Sequence, residues 1–314
     1  MNLGQASADI LFSGNDYLKI KKGIEWMHDL YASITDIRAG DLINEHNIKT
    51  QNGHIVTPAV AAHCLIDLMR STRFIRGAYK AIKSFKETHP NRPLRILYAG
   101  CGPYATILTP LTTQFDTSQI QCTMLEYNPI SMKAMETLYR ELKIEDFIEE
   151  KIIGDATLED IPLNGTYDII ISETMQVVLQ RECQVPLTRN LVRFLNPEGT
   201  FIPQNVYVNV HLVGKRKSEL ENPENLFLEN IYDLDYNNVP APNKKQKISI
   251  PEHPFQYLYY FTRIRVFEEE VIEPYESGLT IPLIIDSFQD KPKAITFQYV
   301  ENEEPHFEKI YHME

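Results

Sequence analysis

Apolar residues change their spacing along the chain, and each change predicts a different kind of structure. From Asp16 to Ile37 they recur every three or four positions, which predicts a helix. Asp41 to Gly53 is a polar connection. Thr57 and Pro58 are typical of a helix N-cap and first position, and they open a second helical pattern that extends from Ala59 to about Phe85. We expect a helical N-terminal segment over residues 1–90.

Short apolar runs then alternate with helix-length segments over residues 91–203. This alternation is typical of βαβ units and predicts a parallel, Rossmann-like sheet. The predicted strands are Leu94–Ala99, Gln121–Glu126, Phe147–Ile153, Tyr167–Ser172 and Thr200–Ile202. The predicted helices are Tyr104–Phe115, Ile130–Leu142 and Glu182–Phe194.

Residues 204–314 contain β-rich runs without helices between most of them, which predicts a separate antiparallel, barrel-like β domain. The stretch from Lys215 to Pro251 is polar and is interpreted as an excursion from that domain. The predicted strands are Val206–Val213, Lys247–Ile250, Tyr257–Val266, Leu279–Ile285 and Ala294–Val300. The fold class is therefore α/β, with N-terminal helices and a C-terminal antiparallel β domain.

Composition and charge limit the kinds of molecule that this chain is expected to bind. The formal net charge of −12 and the pI near 5.3 argue against nucleic acid and suit a cationic or nitrogen-containing small molecule. The four cysteines have no paired spacing, so we expect no metal site and a reducing, cytoplasmic setting. We also expect no export signal and no membrane span.

The first predicted strand leads into Gly100-Cys101-Gly102, the expected turn between a strand and a helix. Glycine lets a ligand approach such a turn closely, and a following helix N-terminus favours an acceptor group. The same residues with Ala105 match a dinucleotide fingerprint, so the turn alone is also compatible with NAD binding or with a plain tight turn.

Two acidic residues follow later strands of the same sheet. Glu126 ends the second strand, where a carboxylate accepts ribose hydroxyls in nucleoside-binding proteins. Asp155 follows the third strand, at a place suited to the adenine amino group, although it would also cap the next turn.

Two further segments are more specific. Leu65-Ile66-Asp67-Leu68-Met69-Arg70-Ser71-Thr72 precedes the sheet, and Asp168-Ile169-Ile170-Ile171-Ser172-Glu173 ends its fourth strand, with Glu182 nine positions after Glu173. Taken singly, these glutamates have ordinary explanations as a strand-end carboxylate and a residue of a first helical turn. Together the segments resemble the L-x-D-x-x-R-T segment and the double-glutamate loop of the protein arginine methyltransferases, a branch of the class I S-adenosylmethionine-dependent methyltransferases.

The resemblance covers residues 65 to about 235 and implies S-adenosyl-L-methionine as cofactor. Leu195–Pro203 and Glu229–Asp235 are similar to that family's link into its β domain and to the segment before its dimerisation arm, which permits a homodimer. The resemblance implies a cofactor site formed by Arg70, Gly100, Cys101, Gly102, Glu126, Tyr127, Asp155, Ala156 and Glu173. It implies that Glu173 and Glu182 clamp a guanidinium by charge-assisted hydrogen bonds, with His306 as a degenerate match to the family's histidine loop.

Several departures from the family pattern surround the substrate. The aromatic signature before Arg70 is missing, and Thr174 stands where the family has tryptophan. Tyr98 and Tyr104 also replace residues near the glycine turn, which concerns the amino end of the cofactor rather than the substrate. A frayed C-terminal strand explains His306 equally well. We therefore expect N-methylation of a guanidino or amino group of a small molecule. The alternatives are a C- or O-methyltransferase, a protein arginine methyltransferase, a non-catalytic member of the family and an NAD-dependent oxidoreductase.

Overall fold

The structure is a computed structural model that describes residues 1–41, 47–215 and 222–313. Its N-terminal part is mainly helical and also contains a short antiparallel hairpin, β1–β2. The elements are α1 (Leu3–Phe12), α2 (Tyr17–Thr35), β1 (Ile48–Thr50), β2 (Gly53–Ile55), α3 (Pro58–His63) and α4 (Leu68–Thr88).

The N-terminal predictions need three corrections. Helix α1 was not predicted, and the hairpin lies in the segment 41–53 that was interpreted as a polar connection, of which 42–46 lie outside the described residues. The long helix predicted from residue 59 is interrupted, because Asp67 adopts an extended conformation and caps α4, where its Oδ1 accepts the backbone N–H of Arg70 at 3.1 Å.

A five-stranded parallel sheet forms the centre of the molecule, as predicted. Its order is β5-β4-β3-β6-β7. The strands are β3 (Leu94–Ala99), β4 (Ile120–Glu126), β5 (Ile148–Ile153), β6 (Tyr167–Ser172) and β7 (Leu195–Ile202), and the helices between them are α5 (Pro129–Leu142) and α6 (Gln184–Leu191). The predicted bounds of β3 and β6 are confirmed, whereas β7 begins five residues before its predicted start.

Alternate residues of β3 pack on opposite faces of the sheet, as the pleat requires. Ile96 and Tyr98 join the core beneath the N-terminal helices and α5, and Leu97 and Ala99 join a second core beneath α6. The sheet is therefore covered on both faces, and its open edge is the one at the carboxyl ends of the strands, where doubly wound folds bind ligands.

The helix predicted over Tyr104–Phe115 is wrong. Residues 102–108 form consecutive turns, and only Thr109–Thr113 is helical, as a 3₁₀ helix. Ala105 has a φ of 43°, a left-handed conformation that an α-helix does not tolerate. The sequence pattern missed this because the apolar spacing alone is compatible with a helix.

The C-terminal part is antiparallel, as predicted, and forms two sheets. One has the order β12-β11-β8-β9 with β13 also paired to β11, and the other has the order β10-β14-β15. The strands are β8 (Asn205–Val213), β9 (Asn225–Asp235), β10 (Lys245–Ser249), β11 (Tyr257–Phe267), β12 (Glu270–Ile272), β13 (Leu283–Ser287), β14 (Ala294–Val300) and β15 (His306–His312). The interpretation of residues 215–251 as a polar excursion is wrong where β9 lies, whereas β10 overlaps the predicted strand Lys247–Ile250; residues 216–221 lie outside the described ranges.

Among the described residues, no helix is long and apolar enough to cross a membrane. All four cysteines are free thiols.

Candidate active site

A cavity of about 380 Å³ lies at the carboxyl edge of the parallel sheet, within the usual size of small-molecule sites. Every site residue expected from the sequence except His306 lines it. These residues are Arg70, Gly100, Cys101, Gly102, Glu126, Tyr127, Asp155, Ala156, Glu173 and Glu182.

The glycine turn has a conformation that requires glycine. Gly100 and Gly102 have φ values of 70° and 63°, in the region that other residues rarely adopt. A β-carbon on Gly100 would also collide with the Thr174 methyl group. The turn is thus packed against the residue that follows Glu173, and the two predicted halves of the site are in direct contact.

Glu126 anchors the turn from the neighbouring strand. Its Oε2 accepts the Gly102 N–H at 2.8 Å, and its Oε1 accepts the Asn128 N–H at 2.9 Å. Burial raises the pKa of this carboxyl, while these backbone donors act in the opposite direction. Each oxygen of a carboxylate has two acceptor positions, so Glu126 keeps acceptor capacity for hydroxyl groups of a ligand.

Asp155 caps the turn that follows β5, the alternative that the sequence left open. Its Oδ1 accepts from the Thr157 backbone N–H at 2.8 Å and from the Thr157 hydroxyl at 2.7 Å. Because Asp155 and Ala156 also line the cavity, this cap holds the segment against the site.

Arg70 and Glu173 form an ion pair within the cavity wall. Arg70 Nε donates to Glu173 Oε2 at 2.7 Å, and Nη2 donates to the same oxygen. The side chains are only 14% and 9% exposed, so water screens the pair weakly. Glu173 Oε1 is buried and has no hydrogen-bond partner among the described residues. A buried acceptor without a donor is costly, so Oε1 is available to accept a hydrogen bond from a ligand.

Glu173 and Glu182 both have raised pKa values. Burial raises the pKa of each carboxyl from 4.5 to about 7, and the charge of Arg70 only partly opposes this. The negative charge of Glu182 contributes to the rise for Glu173, so the two groups interact. Two such carboxyls can bind a cation when ionised and can take up a proton at neutral pH.

Burial also raises the pKa of the Cys64 thiol beside these groups to about 12. The cavity therefore contains a neutral thiol at this position rather than a nucleophilic thiolate.

His306 does not line the cavity. It begins β15, paired with Val300, and its Nδ1–H donates to the Glu304 carbonyl oxygen at 2.6 Å. The preceding residue does reach the double-glutamate loop, since the Arg181 N–H donates to the Pro305 carbonyl at 2.8 Å. The residue before His306 thus contacts the loop between Glu173 and Glu182, whereas His306 itself is not among the residues that line the cavity.

His54 is a cavity residue that the sequence analysis missed. Its backbone N–H donates to the Arg181 carbonyl at 2.7 Å, and its Nε2 lies 3.5 Å from Glu304 Oε1. The Asn52-Gly53 pair, a strong hairpin signal, was the available indication that residues 48–55 fold back towards the sheet.

Gln184 was also missed. It is fully buried, and its Oε1 accepts from the backbone N–H of Thr174 at 2.9 Å and from the Thr174 hydroxyl at 3.1 Å. It therefore joins the two ends of the segment that contains both glutamates. Only its amphipathic position at the start of α6 was visible in the sequence.

The two tyrosines near the glycine turn have different environments. Tyr98 lines the cavity and is buried. Tyr104 packs edge-on against Tyr31, and its hydroxyl donates to the Ile37 carbonyl oxygen. Tyr104 thus secures the turn to the N-terminal helices and is not among the residues that line the cavity.

These features define a class of fold: a nucleotide-type parallel sheet, preceded by helices and followed by antiparallel sheets, with the cavity at the carboxyl edge of the parallel strands. The sequence itself matches no family profile and no curated protein.

Two solved structures with this architecture are protein arginine methyltransferases. The chain is similar to the PRMT1 enzyme–prozyme heterotetrameric complex of Trypanosoma brucei with AdoHcy, at 13% identity and a TM-score of 0.55, over 79% of this chain and 96% of that one. It is also similar to protein arginine methyltransferase 10 of Arabidopsis thaliana in an open conformation, at 12% identity and a TM-score of 0.51, over 80% and 96%. This chain therefore shares their fold.

Proposed function

We propose that this protein transfers the methyl group of S-adenosylmethionine to a nitrogen of a guanidino or amino group. We further propose that the methyl acceptor is a small molecule. The observation that carries the proposal is the placement of Glu173 and Glu182, both partly buried and with raised pKa values, in the cavity that the glycine turn also lines. The fold shared with arginine methyltransferases, one of them described with AdoHcy, supports this choice.

The residues present fit the cofactor. Glu126 retains acceptor capacity for the ribose hydroxyls, the positive-φ glycines permit close approach, and Arg70 is a partner for the methionine carboxylate. When bound, S-adenosylmethionine supplies an electrophilic methyl group on a sulfonium. The equivalent proposal for Asp155 is an acceptor for the adenine amino group.

The chain's own residues supply binding and proton transfer on the acceptor side. Ionised Glu173 and Glu182 bind a cationic nitrogen group, and Glu173 Oε1 offers a buried acceptor position for one N–H. The carboxyls, with pKa values of about 7, take up the proton that the nitrogen loses on methylation. Fixed placement of the nitrogen contributes most of the rate.

A small cationic metabolite suits the net charge of −12, and nucleic acid does not. We further propose a cytoplasmic location and a homodimer assembled through the β-rich part, with functional divisions at residues 1–90, 91–203 and 204–314. Free cysteines support the reducing location, and the heterotetramer described for the trypanosome structure supports assembly into oligomers.

Calorimetric titration tests the cofactor proposal. We expect S-adenosylhomocysteine to bind and NAD not to bind, and we expect Glu126→Gln to weaken S-adenosylhomocysteine binding by about tenfold, the effect of one lost charge-assisted hydrogen bond. Binding of NAD in preference would contradict the proposal and support an oxidoreductase.

Turnover tests the acceptor site. With cationic guanidino and amino metabolites screened as methyl acceptors, Glu173→Gln and Glu182→Gln should each reduce turnover at least a hundredfold, whereas the exposed Glu198→Gln should not. If both variants kept full turnover, the carboxylate clamp would be wrong.

The raised pKa values also favour a second function, because such carboxyls can act as the general base of an O- or C-methyltransferase. NMR of the product identifies it by the atom that carries the new methyl group.

A further inference from the structure

The loop between the two glutamates contains an unusual concentration of left-handed backbone. Val178, Leu179 and Arg181 have φ values of 61°, 55° and 64°. Residues with a β-carbon rarely adopt this region, and a β-branched residue such as valine does so least of all. Such conformations persist only where the surroundings impose them.

The antiparallel strands supply those surroundings through hydrogen bonds at each strained residue. The Val178 N–H donates to Thr262 Oγ1 at 3.2 Å. The Tyr299 hydroxyl donates to the Leu179 carbonyl oxygen at 2.7 Å. The Arg181 N–H donates to the carbonyl of Pro305 at 2.8 Å. All three partners lie more than eighty positions further along the chain.

Tyr299 is packed against two other aromatic rings. It belongs to β14 and is buried, and its ring lies 4.9 Å from that of Tyr232 and 5.1 Å from that of Phe307. A tyrosine with its ring fixed by neighbouring rings loses little further freedom when its hydroxyl makes a hydrogen bond. Its hydroxyl group therefore holds the Leu179 carbonyl of the loop at a fixed position.

The attachment continues beyond the loop. Arg189, in the helix that follows Glu182, makes two hydrogen bonds with Glu301 at 2.5 and 2.7 Å, two positions after Tyr299. The end of β14 thus holds both the loop and the helix that comes after it.

We propose that the antiparallel β part determines the geometry of the double-glutamate loop, with Tyr299 and Thr262 as positioning residues for Glu182. Neither residue lines the cavity, and each acts through the backbone of the loop. The effect on rate rests on the proposed function, whereas the effect on loop conformation does not.

Tyr299→Phe tests this, because it removes one oxygen and keeps the ring. We expect hydrogen–deuterium exchange of the backbone amides at 174–183 to become about tenfold faster, the effect of losing one hydrogen bond to a buried carbonyl. We expect kcat to fall about tenfold, while KM for S-adenosylmethionine and the affinity for S-adenosylhomocysteine stay unchanged. The matched control is Tyr232→Phe, because the Tyr232 hydroxyl has no hydrogen-bond partner among the described residues; this variant should leave exchange and kcat unchanged.

Thr262→Val and Thr262→Ser provide a second pair, which also applies if Tyr299→Phe does not fold. Valine removes the acceptor for the Val178 N–H, and serine retains it, so only valine should accelerate exchange in the loop. Unchanged exchange in both Tyr299→Phe and Thr262→Val would overturn the inference. Accelerated exchange in a protein that transfers no methyl group would support the inference and contradict the proposed function.

Discussion

Replacing Glu182 by glutamine should stabilise the protein at neutral and alkaline pH. Burial raises the pKa of this carboxyl from 4.5 to about 7. A difference of one in pKa between the folded and unfolded states corresponds to about 1.4 kcal/mol, so a rise from 4.5 to about 7 corresponds to about 3 kcal/mol. Glutamine resembles the protonated carboxyl in shape and does not ionise.

The sign follows from the proton balance. Below pH 4.5 the carboxyl is protonated in both states, and the substitution changes little. Between pH 4.5 and 7 the unfolded chain releases the proton while the folded protein retains it, so the free energy of unfolding of the natural protein decreases as pH rises. Above pH 7 both states have released the proton, so the loss in the free energy of unfolding of the natural protein stays constant. Removing the charge of Glu182 also lowers the pKa of Glu173, which adds to the stabilisation.

Urea unfolding at pH 4, 5.5 and 8 measures the effect. We expect the free energy of unfolding of Glu182→Gln to exceed that of the natural protein by about 0, 1 and 3 kcal/mol, in that order. Glu198→Gln is the control: this side chain is exposed, and its substitution should change stability by no more than about 0.5 kcal/mol at each pH. An equal difference for Glu182→Gln at pH 4 and pH 8 would refute the assignment of Glu182 as a buried group that resists ionisation.

Two further substitutions test the packing around the site. Gly100→Ala combines a positive φ with a collision against the Thr174 methyl group and should lower the free energy of unfolding by about 2–4 kcal/mol. Its control, Gly102→Ala, has a similar φ but places its β-carbon 3.5 Å from the nearest atom, so we expect a loss of about 1–2 kcal/mol; equal losses would show that the collision is relieved at no cost. Arg189→Met leaves the carboxylate of Glu301, 12% exposed, without its partner and should cost about 2 kcal/mol in urea unfolding. Adding Glu301→Gln should recover part of that loss, and no recovery would show that the packing of Arg189 rather than its charge matters.

The sequence predicted the centre of the parallel sheet well because β3 and β6 are short, mainly apolar runs followed by a glycine and a glutamate, respectively. The bounds of β3 and β6 were correct for this reason. The same pattern failed at residues 104–115, because Ala105 has a left-handed conformation that its residue type and the apolar spacing do not indicate.

Some residues of the candidate site were predictable from the sequence, and others were not. Carboxylates at strand ends were predictable, since the carboxyl ends of parallel strands meet at one edge, and Glu126 and Glu173 both line the cavity. His54, Gln184 and Tyr299 were not, because their roles depend on contacts between segments far apart in the chain. No local pattern indicates that a tyrosine hydroxyl in β14 will meet a carbonyl 120 positions earlier.

The loop from Glu173 to Glu182 contains several features that oppose folding. It combines two partly buried carboxyls with raised pKa values and three residues of left-handed backbone, each of which costs of the order of 1 kcal/mol. Sequences that are selected only for stability remove such conflicts, so their concentration in ten residues beside a cavity indicates a functional constraint. The stability that offsets them comes from outside the loop, namely from the aromatic core around Tyr299 and from the Arg189–Glu301 pair. We therefore expect variants that relieve the loop to gain stability at the expense of activity, and variants of its distant supports to lose activity before they lose the fold.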